Sequence, residues 1–379
     1  MTQATAAEAA RPSAAEELAG PRQLGRAADL VLRSALPLVL AVGAGAIILA
    51  AIGVDPVHYY KDIYSGGIEF SAWQDSVMRM APLLLIALGL IIVFRAGIWN
   101  LGIDGQFLLA AAIVAGIAPK TEPHLPNTVN ILLMFLVAGA VGAAWTIVPA
   151  VLKARYELNE IITTLMMTFI GINLAGILVK GPFQDFSSNV PQTSVLDFTA
   201  LLPAIPGTRI HVGVLVAGAA AIVLWFLMTR TSFGLRLQVL GANARAARHM
   251  GLNVPRLIVV SFLVSGLLVG LAAASEILGI WGYVRADWNP AFGLWVVPIV
   301  FLARLHPIGV VPYVFLLSVA SIGGDYAAQE GGLTPRFTLL LVGLTLLFMA
   351  LTEWIARKRE YEGSYLPGVA ARRRRPQRE

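Results

Sequence analysis

Cysteine is absent from this chain and charge is scarce. Without thiols there are no disulfides and no thiolate metal sites. The five histidines are scattered, with no H-E-x-x-H pattern or other ligand spacing, so neither metal nor cofactor is expected. No glycine-rich phosphate loop ending in Gly-Lys-Ser/Thr occurs, and no nucleophile elbow, so the chain does not hydrolyse ATP by that route. Enzymatic chemistry is a poor reading. Only 13% of the residues are charged, against about 25% in soluble domains, while 57% are hydrophobic. The net charge of +6 invites nucleic acid, but the basic residues sit beside apolar stretches and in the tail, not on a polar face. No nucleic-acid partner is expected.

What the sequence has is apolar runs. They fall at roughly 33–54, 80–95, 104–118, 129–152, 161–180, 211–228, 257–280, 291–303, 307–324 and 337–355, several of them near the ~20 residues that cross a bilayer core. An all-α polytopic bundle of about ten spans follows, with discontinuous helices where Pro and Gly break the shorter runs. The first run is too long for a signal-peptide core and no small-residue cleavage site follows it, so it reads as a retained anchor. Residues 1–32 read as a disordered cytoplasmic arm, 33–355 as the membrane domain with a cytoplasmic loop at 230–256, and 356–379 as a basic cytoplasmic tail. With both termini inside, only Lys61, Arg79, Lys120, Lys180, Arg209, Arg285 and Arg336 of the 28 Lys and Arg fall outside. That is a positive-inside distribution, and it favours ten spans over nine.

Polar residues inside such a bundle are costly and mark candidate sites. The segment from Phe94 to Gln106, FRAGIWNLGIDGQ, interrupts the apolar pattern with three glycines and with Arg95, Asn100, Asp104 and Gln106. It is either a broken helix lining a pathway, with Asn100 and Gln106 as hydrogen-bonders, or a turn joining two spans. VFLARLHPIG, from Val300 to Gly309, echoes VFRAGIWNLG at four positions in ten, too few to separate from chance. Asn159 caps the fifth span, with Glu160 in its first turn. Asn173 points about 180° away from Thr164, so that helix is expected to be enclosed by protein; Asn173 meets a neighbouring helix more readily than a solute. Gly266, Gly270 and Ala274 form a packing face on the seventh span. Glu276, near its outer end, is a hydroxyl acceptor, an ion-pair partner for a residue such as Arg285, or simply a residue reaching the interface.

The loop from Arg230 to Arg256 carries the most specific pattern. ANARAARHMGLN predicts one short helix with Asn243 as N-cap, Gly251 as C′ and Leu252 closing the cap. Arg245, Arg248 and His249 fall on one face of it. A capped helix held between two spans is a docking element; it is too short and too poor in large apolar groups to insert into lipid. The arginine run 372–375 reads as a topological or lipid-facing tail.

FRAGIWNLGIDGQ, NEIITTLMM with the following VKGPFQD, and GLRLQVLGANARAARHMGLNV together resemble permease subunits of bacterial ABC importers. The group is the branched-chain amino acid, simple sugar and nucleoside permeases, and within it the longer nucleoside-type permease; the resemblance runs from about residue 35 to 350. It implies that Gly241, Ala242 and the residues through Gly251 form the coupling helix of an inner-membrane importer. It also implies three partners: a cytoplasmic ABC ATPase, a second, shorter paralogous permease, and a periplasmic or lipoprotein substrate-binding protein. Asp104 stands where the family usually has Glu, Ala244 where Pro is frequent, and Trp295 and Pro298 where small residues are common. Trp99, Phe169, Trp281 and Trp295 offer π-faces, which favours a purine nucleoside or related heterocycle over a simple sugar. The rival is an ATP-independent secondary transporter or channel, with Glu276 as a proton site.

Overall fold

The computed structural model describes residues 22–331 and 337–362. The arm through residue 21 and the tail beyond Glu362, with its arginine run, lie outside the described residues. The chain divides into two compact units, Ile52–Leu340 and the pair of terminal segments Met1–Ala51 and Leu341–Glu379. In the terminal unit, α1 (Arg22–Ala51) begins inside the segment expected to be a loose arm. The larger unit is helical throughout its core.

Its helices are α2 (Pro56–Ile68), α3 (Ala72–Arg95), α4 (Ile103–Thr121), α5 (Asn127–Trp145), α6 (Ile147–Tyr156) and α7 (Glu160–Lys180). Next come α8 (Gly213–Arg230), α9 (Ser232–Ala242), α10 (Ala244–His249), α11 (Val254–Glu276), α12 (Phe292–Leu302) and α13 (Val310–Glu330). The last helix, α14 (Phe337–Glu362), runs on into the terminal unit. Among the described residues seven helical stretches are long and apolar enough to cross a membrane. The apolar parts of α1 and α14, and all of α12, are shorter. With 11 residues, α12 is about 16 Å long, half of an ~30 Å hydrocarbon core.

At the centre stand α3 and α11. Every residue of α3 from Ala81 to Phe94 is buried, so this helix is apolar all round because it is enclosed all round. α11 packs against α3, α4, α5 and α6. Its contact with α5 is a backbone approach: a Cβ on Gly266 would run into the Gly142 carbonyl, and one on Gly270 into that of Ala138. The spacing expected for close packing is therefore used for it. α7 is different. Thr164 and Thr168 are buried, but Phe169, Ile170 and Ile177 are more than half exposed and Asn173 faces outward with them. The described residues of the larger unit cover α7 on one side only, so the expected enclosure by protein requires a cover from outside that unit.

The weak echo between residues 93–102 and 300–309 has a structural counterpart. After α3, Ile98 N–H donates to Val93 O and Gly97 N–H to Phe94 O; after α12, Leu305 N–H donates to Val300 O and Arg304 N–H to Phe301 O. Gly97 and Arg304 both have positive φ, 72° and 52°. Glycines 102 and 309 then cap the next helices. The two helix ends also meet, with Phe94 stacked on Phe301 at 4.8 Å and Arg95 Nε donating to Leu305 O at 3.1 Å.

At the opposite end of α3 and α11, the 181–212 connection is laid along the segment that follows α11. Leu202 N–H donates to Leu278 O, Leu196 N–H to Gly282 O, and Thr193 N–H to Val284 O.

Candidate functional site

Two places in the larger unit gather chemistry, one at each end of α3. At the Arg95 end lies α10. Its N-cap is Asn243, whose Oδ1 accepts from the N–H groups of Arg245 and Ala246, each at 3.0 Å. At its other end Leu252 N–H donates to Ala247 O and Gly251 N–H to Arg248 O, with Gly251 at φ 79°. This is the Schellman pair of bonds, and only a residue free to take positive φ closes it without strain. Ala247 is fully buried and anchors the helix, while Arg245, Arg248 and His249 are exposed.

Two ties hold α10 to the body of the unit. Arg248 Nη2 donates to Glu157 Oε1 at 2.7 Å, and that bond, with the charge beside it, holds the Glu157 carboxyl below the usual range. Glu157 was not expected from the sequence; its left-handed φ of 52° at the end of α6 is what turns it toward the loop. The second tie is a glycine contact. Gly241, at the end of α9, lies against Gly97, and a Cβ on Gly241 would collide with Arg95 O. The loop therefore rests directly on the turn between α3 and α4.

The turn itself is a closed network. Asn100 and Gln106, both buried, bond to each other, with Gln106 Nε2 donating to Asn100 Oδ1 at 3.1 Å. Asn100 Nδ2 also donates to Ser265 Oγ of α11 at 3.2 Å, and its Oδ1 accepts from Gly102 N–H. Leu101 N–H donates to Thr164 Oγ1 and Leu101 O accepts from Thr168 Oγ1, which ties the turn to α7. Asp104 Oδ1 accepts from Gly293 N–H at 2.8 Å, in the first turn of α12. Phe94 stacks on Phe301, and the Trp99 ring lies tilted against both.

At the other end of α3, Arg79 and Glu276 pair. Arg79 Nη1 donates to Glu276 Oε1 at 2.5 Å, and Trp281 Nε1 donates to the same oxygen at 2.9 Å. The partner suggested by the sequence, Arg285, instead pairs with Asp287. Arg79 lies one residue before the apolar run at 80–95, which places it with the outer basic residues in the sequence, yet it falls within α3. The Arg79 guanidinium lies over the Phe292 ring, 5.7 Å from its centroid. Phe107 contacts both Phe292 and Trp288, and Trp288 contacts Trp281. Of the rings expected to offer π-faces, only Trp281 joins this cluster. Phe169 faces outward, and Trp295 is buried in α12 with its Nε1 unpartnered among the described residues.

The candidate pathway residues thus do not share one site. Asn100 and Gln106 meet at the Arg95 end, Asp104 holds α12, and Glu276 lies at the far end. Asn173 donates only to Phe169 O of its own helix.

Comparison with known proteins agrees with this architecture. Residues 74–350 match the family described as branched-chain amino acid transport system / permease component. The chain is 31% identical to a glucose ABC transporter permease protein of Haloferax volcanii, over 86% of this chain and 88% of that one. It is 28% identical to a guanosine ABC transporter permease protein of Bacillus subtilis, over 83% and 91%. A nucleoside ABC transporter permease protein of Lactococcus lactis is 24% identical, over 85% and 91%.

Proposed function

This chain belongs to the branched-chain amino acid transport system permease family, and we propose that it is one of two permeases in an ATP-driven importer of purine nucleosides or related heterocycles. It is a multi-pass protein of the bacterial inner membrane and a transport component, not an enzyme. In the proposed assembly a cytoplasmic ABC ATPase docks on α10. A shorter paralogous permease completes the membrane part, and a periplasmic or lipoprotein binding protein delivers the solute. The ten-span topology with both termini inside belongs to this reading, with the shorter apolar helices of α1, α12 and α14 added to the seven long stretches.

The observation that carries the proposal is the mounting of α10. The helix is capped at both ends and exposes Arg245 and Arg248, and α9, which leads into it, touches the α3–α4 turn through Gly241 and Gly97. From that turn, Arg95 reaches Leu305 after α12. Movement imposed on α10 by an ATPase would pass to both helix ends. A ligand shifts such an equilibrium only if it contacts the two states differently, so the ATPase must grip α10 differently with and without ATP. In the ATP-independent alternative Glu276 would be the proton site; in the structure its carboxylate is tied to Arg79 and Trp281. Guanosine and nucleoside permeases among the relatives, together with the aromatic ring at the Arg79 end, favour a heterocycle; the glucose permease keeps a sugar as the second reading.

The test is uptake by proteoliposomes of the whole complex, with ATP inside and the proton gradient collapsed. Uptake is expected to persist; uptake that needs the gradient would refute the importer. In the same system Arg245→Glu with Arg248→Glu is expected to abolish substrate-stimulated ATP hydrolysis while the chain still inserts. Unchanged stimulation would remove the docking role.

A further inference from the structure

The contacts at the Arg79 end close on themselves. Trp281 meets Trp288, Trp288 meets Phe107, Phe107 meets Phe292, Arg79 lies over Phe292, and Glu276 joins Arg79 to Trp281. The six come from α3, α4, the end of α11, the loop after it and the start of α12. Arg79 lies seven residues into α3, about 10 Å from its first residue. The ring also grades from outside to inside: Trp281 is 37% exposed, while Phe107 and Phe292 are 1% and 3%.

Packing alone explains the rings but not the charges. Glu276 is fully buried, yet its Oε2 has no partner among the described residues, and neither does Arg79 Nε. Buried charged groups are normally satisfied at every polar atom, because a half-satisfied pair keeps the desolvation cost without the full compensation. Trp281 reaches Glu276 through a π-helical segment, Ile277–Trp281, a rare distortion found mostly at functional sites.

We propose that this ring receives the planar base of the transported solute during passage, with one edge of the base on Glu276 Oε2 and Arg79 Nε. The free pair offers one acceptor and one donor. A heteroaromatic edge with an N–H beside a ring nitrogen or carbonyl matches that pair and turns its π-face to the aromatic rings. A monosaccharide brings about four or five hydroxyls, each a donor and an acceptor, whereas the buried part of the ring leaves two unpartnered polar atoms among the described residues. Stacking is tolerant of which base is present, so the site selects a class, nucleobases, rather than one member. The inference rests on the nucleoside reading above and adds the place and the chemistry of recognition.

The experiment uses the complete transporter in proteoliposomes with ATP inside. The first arm measures uptake of radiolabelled guanosine. No ATP-dependent nucleoside uptake by the wild-type complex overturns the nucleoside reading itself, and this inference with it. The second arm irradiates 8-azidoguanosine during turnover and maps the label. Label is expected within Trp281–Phe292 or around Phe107, blocked by inosine and not by glucose. It should fall at least tenfold in Glu276→Gln and in Trp288→Leu; the latter sits near the surface and spares the ion pair should the former misfold. Intact uptake with the label elsewhere, or unaffected by Trp288→Leu, overturns the site alone. Equal protection by glucose overturns the choice of base over sugar.

Discussion

At Asn243 one side-chain oxygen satisfies two of the backbone donors that the start of α10 leaves open. The helix has six residues, far below the length at which isolated helices persist, so its caps decide whether it forms. Asn243→Ala should cost about 1 kcal/mol of local stability. Amide exchange across Ala244–His249 should quicken several-fold, and ATP-driven uptake should fall with it. Glu157 adds a pH dependence whose sign is fixed. Its folded carboxyl is more acidic than the unfolded one, chiefly because Arg248 bonds to it. The tie is therefore complete above the ordinary carboxylate value of about 4.3 and is lost only as pH falls through the lower folded value. Protection of α10 should be flat from about pH 8 to about pH 5, after correction for intrinsic exchange rates. Glu157→Gln should lower it equally at every pH in that window. A wild-type decline already near neutral pH would show that another group titrates the contact.

At the scale of elements, the seam between α5 and α11 has no room for a side chain at Gly266 or Gly270. Gly270 faces the Ala138 carbonyl so closely that any Cβ must displace backbone. Gly270→Leu should destabilise by more than about 3 kcal/mol, the upper end of ordinary overpacking. It would show as a lower melting temperature and a lower yield in detergent. Gly218, in α8, has nothing within reach of a Cβ; Gly218→Ala should leave melting unchanged or raise it slightly. Equal losses in both would mean that helix propensity rather than close approach governs these glycines. The seam was legible in the sequence, since small residues at four-residue intervals have few other uses. The paired terminations of α3 and α12 were barely so. What they share is backbone geometry, and Arg304 takes a positive φ that its residue type does not announce.

For the whole molecule, the uncovered side of α7 is the feature that most needs a second chain. Asn173, near the middle of a 21-residue helix, faces outward among Phe169, Ile170 and Ile177. Its amide hydrogen bond to Phe169 O leaves its own oxygen for a neighbour. A polar side chain facing lipid is unfavourable, whereas across a helix interface it can bond. Because the chain has no native cysteine, Asn173→Cys is a clean probe. It should react with a maleimide when the chain is expressed alone and be protected when the partner permease is co-expressed. Equal labelling in both would place lipid on that face.

The sequence by itself determined that this is a helical membrane permease with a capped helix in its Arg230–Arg256 loop. Apolar runs, the glycine seam and the Asn243 and Gly251 caps are local patterns, set by residues within a few turns of one another. Only the tertiary structure decided which polar groups meet. Arg79 and Glu276 are separated by 197 positions, and no local pattern marks them as partners. They pair because α3 and α11 pack side by side at the centre of the bundle. Asn100 and Gln106, whose sequence allows either a pathway-lining pair or a turn between spans, are bonded to each other because the α3–α4 turn is buried against α7 and α11. A polar residue in an apolar chain announces that it must be satisfied; what satisfies it is settled by packing.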